Sequence, residues 1–155
     1  MDIFDEHMPN PNQIKNKREE VQVSAQDLIA VPDGTITEEG LRENINVGIL
    51  YIESWLRGVG AAAIYNKMED AATAEISRTQ IWQWINAQAK TDKGELISPN
   101  YIERLIPEEV EKIKDYVGRE AFQKGRFIDA IALFRELVFG DEYEEFLTLP
   151  AYKLI

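Results

Sequence analysis

Leu41, Ile45, Ile49, Ile52 and Leu56 recur every three or four residues, which gathers them on one stripe of an α-helix but scatters them over both faces of a strand. Arg42, Glu43, Asn46 and Glu53 lie mostly off that stripe, as an amphipathic helix requires. The same period returns downstream. Ile76, Ile81, Trp82 and Ile85 mark a helix running to about Ala89, and Val110, Ile113, Tyr116 and Val117 form the buried face of another after Pro107. Ile128, Ile131, Phe134, Leu137 and Val138 mark a third between Phe127 and Phe139, and Tyr143–Leu147 reads as a short last helix before Pro150. Alternation is confined to Val21-Gln22-Val23, a weak strand signal with two apolar positions. The pattern predicts an all-α (mainly α) chain, a bundle of about five helices with no convincing sheet.

Starts and stops divide the chain. Thr35-Ile36-Thr37-Glu38 fits a capping box, with Glu39 adding favourable charge at the positive helix end. Gly58 and Gly60 stop that helix, and Ala61 to Asn66 follows as a stretch rich in small side chains. Asp70 precedes Ala71 and Ala72, the pattern of an acidic N-cap that accepts hydrogen bonds from the first free backbone N–H groups. Thr91–Gly94 and Ser98-Pro99-Asn100 read as turns, Pro107 as a first helical position, and Lys124-Gly125 and Gly140-Asp141 as breaks. Upstream, residues 1–8 have room for one or two helical turns, while Pro9 and Pro11 force extended or turn backbone. A linker follows from Gln13 to Pro32, with Ser24-Ala25-Gln26-Asp27 as a capped single turn. The expected organisation is therefore an N-terminal linker over residues 1–34 and a helical domain over 35–155.

Charge and composition narrow the function. Seventeen basic against 28 acidic residues leave a net charge of −11, which repels nucleic acid and anionic membranes. With no cysteine there is neither a disulfide framework nor a thiolate metal site, which suits a reducing compartment. No charged-then-apolar leader and no long apolar run appears, and the ending Lys153-Leu154-Ile155 departs from a peroxisomal Ser-Lys-Leu signal. A cytoplasmic protein without nucleic-acid or membrane partners is expected.

The stretch Lys67-Met68-Glu69-Asp70-Ala71-Ala72-Thr73-Ala74-Glu75-Ile76-Ser77-Arg78, flanked by Trp55-Leu56-Arg57-Gly58 and Gln80-Ile81-Trp82-Gln83-Trp84-Ile85, resembles the carboxy-terminal signature of malate synthases, particularly the A-type enzymes. Further matching segments occur in family order: Ile3–Ile14, Gly34–Arg42 and Phe146–Tyr152. The resemblance implies a carboxy-terminal helical domain preceded by the end of a barrel helix and a linker. A TIM barrel typically takes about 250 residues, so these 155 leave it no room. It further implies that Asp70 is the general base that removes a methyl proton from acetyl-CoA for condensation with glyoxylate. In the family, a barrel Arg stabilises the enolate and Mg2+ held by barrel carboxylates polarises glyoxylate, so no metal ligand is expected in this chain. Activity is expected only when the barrel is present as a partner. Arg57, Arg78 and Glu69 are local residues to which no such role is assigned.

Other constellations are weaker. His7 is the single histidine, so a His-rich metal site or His-based triad cannot be assembled. Trp55, Trp82 and Trp84 read as core or interface anchors. The clusters Glu108-Glu109-Glu111 and Asp141-Glu142-Glu144-Glu145 lack the spacing of a calcium loop and read as solvated helix faces. Gly58-Val59-Gly60 is too short for a phosphate loop. For Asp70 the plain alternative is a helix cap and nothing more. The chain is then a noncatalytic helical module that docks on another protein.

Overall fold

In the hub helix α3 (Glu38–Leu56) the five stripe residues are all buried, at 0 to 4% exposure. The computed structural model describes every residue except Gln13, Asn16 and Pro32, so those positions of the expected linker lie outside the described residues. Two compact units emerge, Met1–Gly34 and Thr35–Ile155. In the first, α1 (Asp2–His7) and α2 (Ala25–Ile29) are short, and Val21 to Val23 lies in no strand. The expected capped turn is present: Asp27 N–H donates to Ser24 Oγ at 3.2 Å and Ser24 N–H to Asp27 Oδ2 at 2.8 Å.

The second unit is helical, with α4 (Ala71–Asn86), α5 (Pro99–Val117) and α7 (Phe127–Phe139) packed on α3. Because neighbours cover α3 on several sides, burial spreads beyond its stripe to Val47, Leu50 and Tyr51 and to the polar Asn46, Glu53 and Ser54. Each fully buried aliphatic side chain contributes about 1.5–3 kcal/mol. Close approach of α3 and α7 depends on Gly48, where an added Cβ would lie 2.7 Å from Phe134 Cε2. At its end α3 closes in a Schellman turn: Gly58 takes φ +88°, its N–H donates to Trp55 C=O at 2.8 Å, and Val59 N–H donates to Ser54 C=O at 3.0 Å.

Several boundaries differ from the expectation. The cap of α3 is Thr37, whose Oγ1 accepts from Gly40 N–H at 3.0 Å, so the helix starts two residues later than a box built on Thr35. Residues 61–69 form a small antiparallel hairpin, β1 (Ala62–Ile64) and β2 (Lys67–Glu69), where no sheet was expected. Ser98-Pro99 is a helix start rather than a turn, with Ser98 Oγ accepting from Tyr101 N–H and Pro99 in the first turn. Pro107 consequently lies inside α5, on its exposed side, where water can reach the carbonyl it leaves without a partner. Gly118, at φ +88°, ends α5 before a separate short α6 (Arg119–Lys124). Of the expected buried face only Ile113 is fully buried; Val110 and Val117 are half-buried, and Tyr116 is exposed, its ring packed on that of Tyr65.

Tyr143–Leu147 is not helical; the helix there is α8 (Thr148–Ala151), which contains Pro150 and runs into a 3-10 turn over Tyr152–Leu154. Tertiary hydrogen bonds claim that segment instead. Leu147 N–H donates to Glu75 Oε1 at 2.8 Å, Arg78 Nη2 to Glu145 C=O at 3.3 Å and Trp82 Nε1 to Gly140 C=O at 2.9 Å. Among the described residues the fold is thus predominantly α, with the hairpin as its one sheet.

One electrostatic feature at the start of α3 sets a pH dependence. Hydrogen bonds from Arg42, then Lys93, hold the Glu38 carboxyl down from 4.5 to about 2. A carboxylate with a lower pKa folded than unfolded stabilises the fold above its unfolded value, and that contribution disappears as pH falls through the folded one. Thermal transitions measured from pH 4.5 down to about 2 are expected to fall less steeply for Glu38→Gln than for the parent. Parallel curves would show that this pair is screened to no effect.

Candidate functional site

Asp70 stands at the junction of β2 and α4. It is the N-cap of α4, its Oδ1 accepting from Ala72 N–H at 2.9 Å and Thr73 N–H at 3.4 Å. The expected cap is therefore present. In the hairpin, Ala63 pairs with Met68, and both are exposed, while Ala62 and Ile64 face the core. Strand alternation carries the outward face from Ala63 and Met68 on to Asp70, which is itself exposed. Ala71, Ala72 and Ile76 are exposed as well, so the carboxylate lies among small and apolar groups.

The neighbours are held in place. Thr73 Oγ1 donates to Glu69 Oε2 at 2.7 Å, occupying the carboxylate next to Asp70. Tyr51, in the middle of α3, donates its hydroxyl to Gly60 C=O at 2.8 Å. Burial, then the charges of Asp70 and Glu75, push that phenol up from its ordinary value, which keeps it neutral and a donor.

The remaining sequence candidates go elsewhere. Arg57 pairs with the buried Glu53 at 2.7 Å. Arg78 is 1% exposed, paired with Glu75 and lying 4.4 Å over the Tyr143 ring. His7 lies exposed in the last turn of α1. Trp55 meets Tyr152 edge-on at 5.1 Å, Trp82 bonds Gly140, and Trp84 packs on the core edge.

Glu109 overturns the reading of its cluster as a solvated face. It is 2% exposed and receives Arg42 Nη1 at 3.1 Å, Asn46 Nδ2 at 3.1 Å and Lys112 Nζ at 2.7 Å. Nothing in its acidic neighbourhood distinguished it, because its partner Asn46 is 63 residues away in the chain. Among the described residues no group of three or more His, Cys, Asp or Glu side chains is placed to hold a metal ion. Nor is any helix among them long and apolar enough to cross a membrane.

Comparison with known proteins turns this geometry into a family assignment. Residues 35–155 match the family model described as malate synthase, C-terminal. The chain belongs to the malate synthase family. It is 46% identical over 151 residues to a malate synthase of Myxococcus xanthus (strain DK1622), covering 97% of this chain and 28% of that protein. Identity to malate synthase A of Escherichia coli (strain K12) is 45% over 145 residues, 93% of this chain and 27% of that one. A relative named malate synthase, glyoxysomal, from Brassica napus is 43% identical over 157 residues, 98% of this chain and 28% of that one. The chain thus spans little more than a quarter of these malate synthases and corresponds to their C-terminal part.

Proposed function

We propose that Thr35–Ile155 is the catalytic-base domain of a malate synthase and that Asp70 is the base. The observation that carries this reading is a carboxylate fixed at a helix start yet left open on an outward apolar face, within the region matched to the family. A carbon acid as weak as a thioester methyl group needs a positioned carboxylate in a site dry enough to raise its basicity. Exposed as it is here, Asp70 gains that dryness when a barrel domain covers Met68 and Ile76, which are 75% and 59% exposed. Residues 1–34 are assigned as the end of a barrel helix and the linker that leads to this domain.

In the reaction, Asp70 Oδ takes a methyl proton from acetyl-CoA and leaves the electron pair as an enolate. The enolate carbon bonds to the aldehyde carbon of glyoxylate as the C=O π pair moves to oxygen, the resulting alkoxide takes up a proton to become the malyl hydroxyl, and water then cleaves the thioester to give malate and free CoA. Mg2+ belongs, on this reading, to barrel carboxylates, and no step assigned to this chain runs through it. A cytoplasmic address belongs to the same reading, in contrast to the relative named glyoxysomal.

The direct test is to exchange residues 1–155 for the corresponding C-terminal segment of the Myxococcus xanthus malate synthase and to follow CoA release with acetyl-CoA and glyoxylate. Malate formation by the exchanged enzyme is the expected result. A folded but inactive exchange would favour the other reading, a helical interaction module, for which the same exposed apolar face beside Asp70 is the supporting observation.

A further inference from the structure

We propose that the Tyr65 hydroxyl, Asn46 and Glu109 form a clamp that fixes the hairpin β1–β2 and so positions the Asp70 carboxylate. The inference rests on the assignment of Asp70 as base and adds to it three positioning residues.

Its starting point is the hairpin turn. Tyr65 and Asn66 both have positive φ, 50° and 62°, as the two central residues of a type I′ turn do. Glycine and asparagine accept that conformation readily, whereas a bulky aromatic residue at the first position is strained. Something outside the turn has to hold Tyr65 there, and the structure supplies three contacts. Its hydroxyl donates to Asn46 Oδ1 at 2.7 Å, its backbone N–H donates to the Tyr116 hydroxyl at 2.9 Å, and its ring packs on that of Tyr116 at 4.4 Å.

Asn46 is in turn fixed by Glu109 Oε2, and the other Glu109 oxygen is held by Arg42 and Lys112. The tip of the hairpin is thereby tied to both α3 and α5. β1 is seated in the core by Ala62 and Ile64, but beside β2 Tyr65, Lys67 and Glu69 line a cavity of about 520 Å³ together with Asn46 and Glu109. Lys67 and Met68 of β2 are exposed, so pairing with β1 and the tip anchors together set where the strand lies. Asp70 is the next residue after that strand, so a shift of the tip reaches the carboxylate directly. Misplacing a catalytic group by about 1 Å costs about 100-fold in rate.

Two substitutions separate a clamp from simple turn stability. Tyr65→Phe removes the hydroxyl alone, and Tyr65→Asn introduces a residue that suits positive φ but cannot span to Asn46. In the exchanged enzyme both are expected to lower kcat about 10- to 100-fold. KM for acetyl-CoA should stay within about twofold, since ground-state binding is not what the clamp supplies. If turn stability were the whole role, Tyr65→Asn would match or exceed the parent in kcat, and the proposal would be overturned. Asp70→Asn in the same background keeps the two readings apart. Activity surviving in that variant refutes the base assignment itself, whereas an inactive Asp70→Asn beside fully active Tyr65 variants refutes the clamp alone.

A second measurement needs no catalysis. In the 155-residue chain the Ala72 amide, bonded to Asp70 Oδ1, is expected to exchange its hydrogen about tenfold faster in both Tyr65 variants, with core amides of α3 and α7 unchanged. Unchanged exchange at Ala72 would show that the hairpin tip does not govern Asp70.

Discussion

Asp70→Asn is expected to reduce malate formation by about 10²- to 10⁴-fold while leaving the thermal transition of the domain in place. The contrast follows from two roles carried by one side chain. As a cap, Asp70 accepts from Ala72 and Thr73 N–H, and asparagine accepts those same bonds about as well. As a base, it must take a proton from carbon, and an amide oxygen is far too weak to do so. Asp70→Ala completes the comparison, because it removes both roles and is expected to cost about 1 kcal/mol of stability beyond the loss of activity. The measurements are initial rates of CoA release in the exchanged enzyme and melting curves of each variant. An asparagine variant within tenfold of the parent rate would reduce Asp70 to a cap and turn attention to docking partners.

Phe134→Ala carries the largest expected effect on stability, about 3–5 kcal/mol. Phe134 is completely buried on α7, and its ring edge lies against Gly48 of α3, so truncation opens a void between two core helices. Domains of this size are stable by about 5–15 kcal/mol, so that loss removes a large part of the margin. The reciprocal change, Gly48→Ala, places a methyl group 2.7 Å from Phe134 Cε2. Overpacking of about 1–3 kcal/mol then opposes a gain in helix propensity of up to about 1 kcal/mol. Combining Gly48→Ala with Phe134→Leu should recover part of the cost, a coupling that urea midpoints for the four proteins would measure. Strictly additive midpoints would mean that α3 and α7 separate to relieve the contact.

What could be read from the residues followed the length of each signal. Helix α7 runs from Phe127 to Phe139 as its period predicts, and the α3 stripe from Leu41 to Leu56 is buried throughout. Ends set by one local choice went less well. Two prolines competed for the start of α5, and the helix begins at Pro99, where Ser98 supplies a cap, with Pro107 tolerated on the wet side. The hairpin was hidden because its turn is Tyr65-Asn66, without the glycine that usually marks such a turn, and its first strand is alanine-rich. At the site, the cap at Asp70 is a local pattern and was legible. Glu109 and Asn46 were not, because each looks like a solvent residue of its own helix until the two helices are brought together.

The segment from Gly140 to Leu147 closes over the helix that Asp70 begins, through bonds to Glu75 and Arg78 that bridge 72 and 67 residues of sequence. This has a bearing on the order of synthesis. A ribosome completes α4 well before it makes the residues that bury Arg78, so the guanidinium stays hydrated and the helix unfastened until Gly140–Leu147 has emerged. The helix that carries the acidic residue is then secured from both directions, by the hairpin made just before it and by a segment made well after it. Chains interrupted before Leu147 lack that second fastening, and α4 keeps a hydrated Arg78.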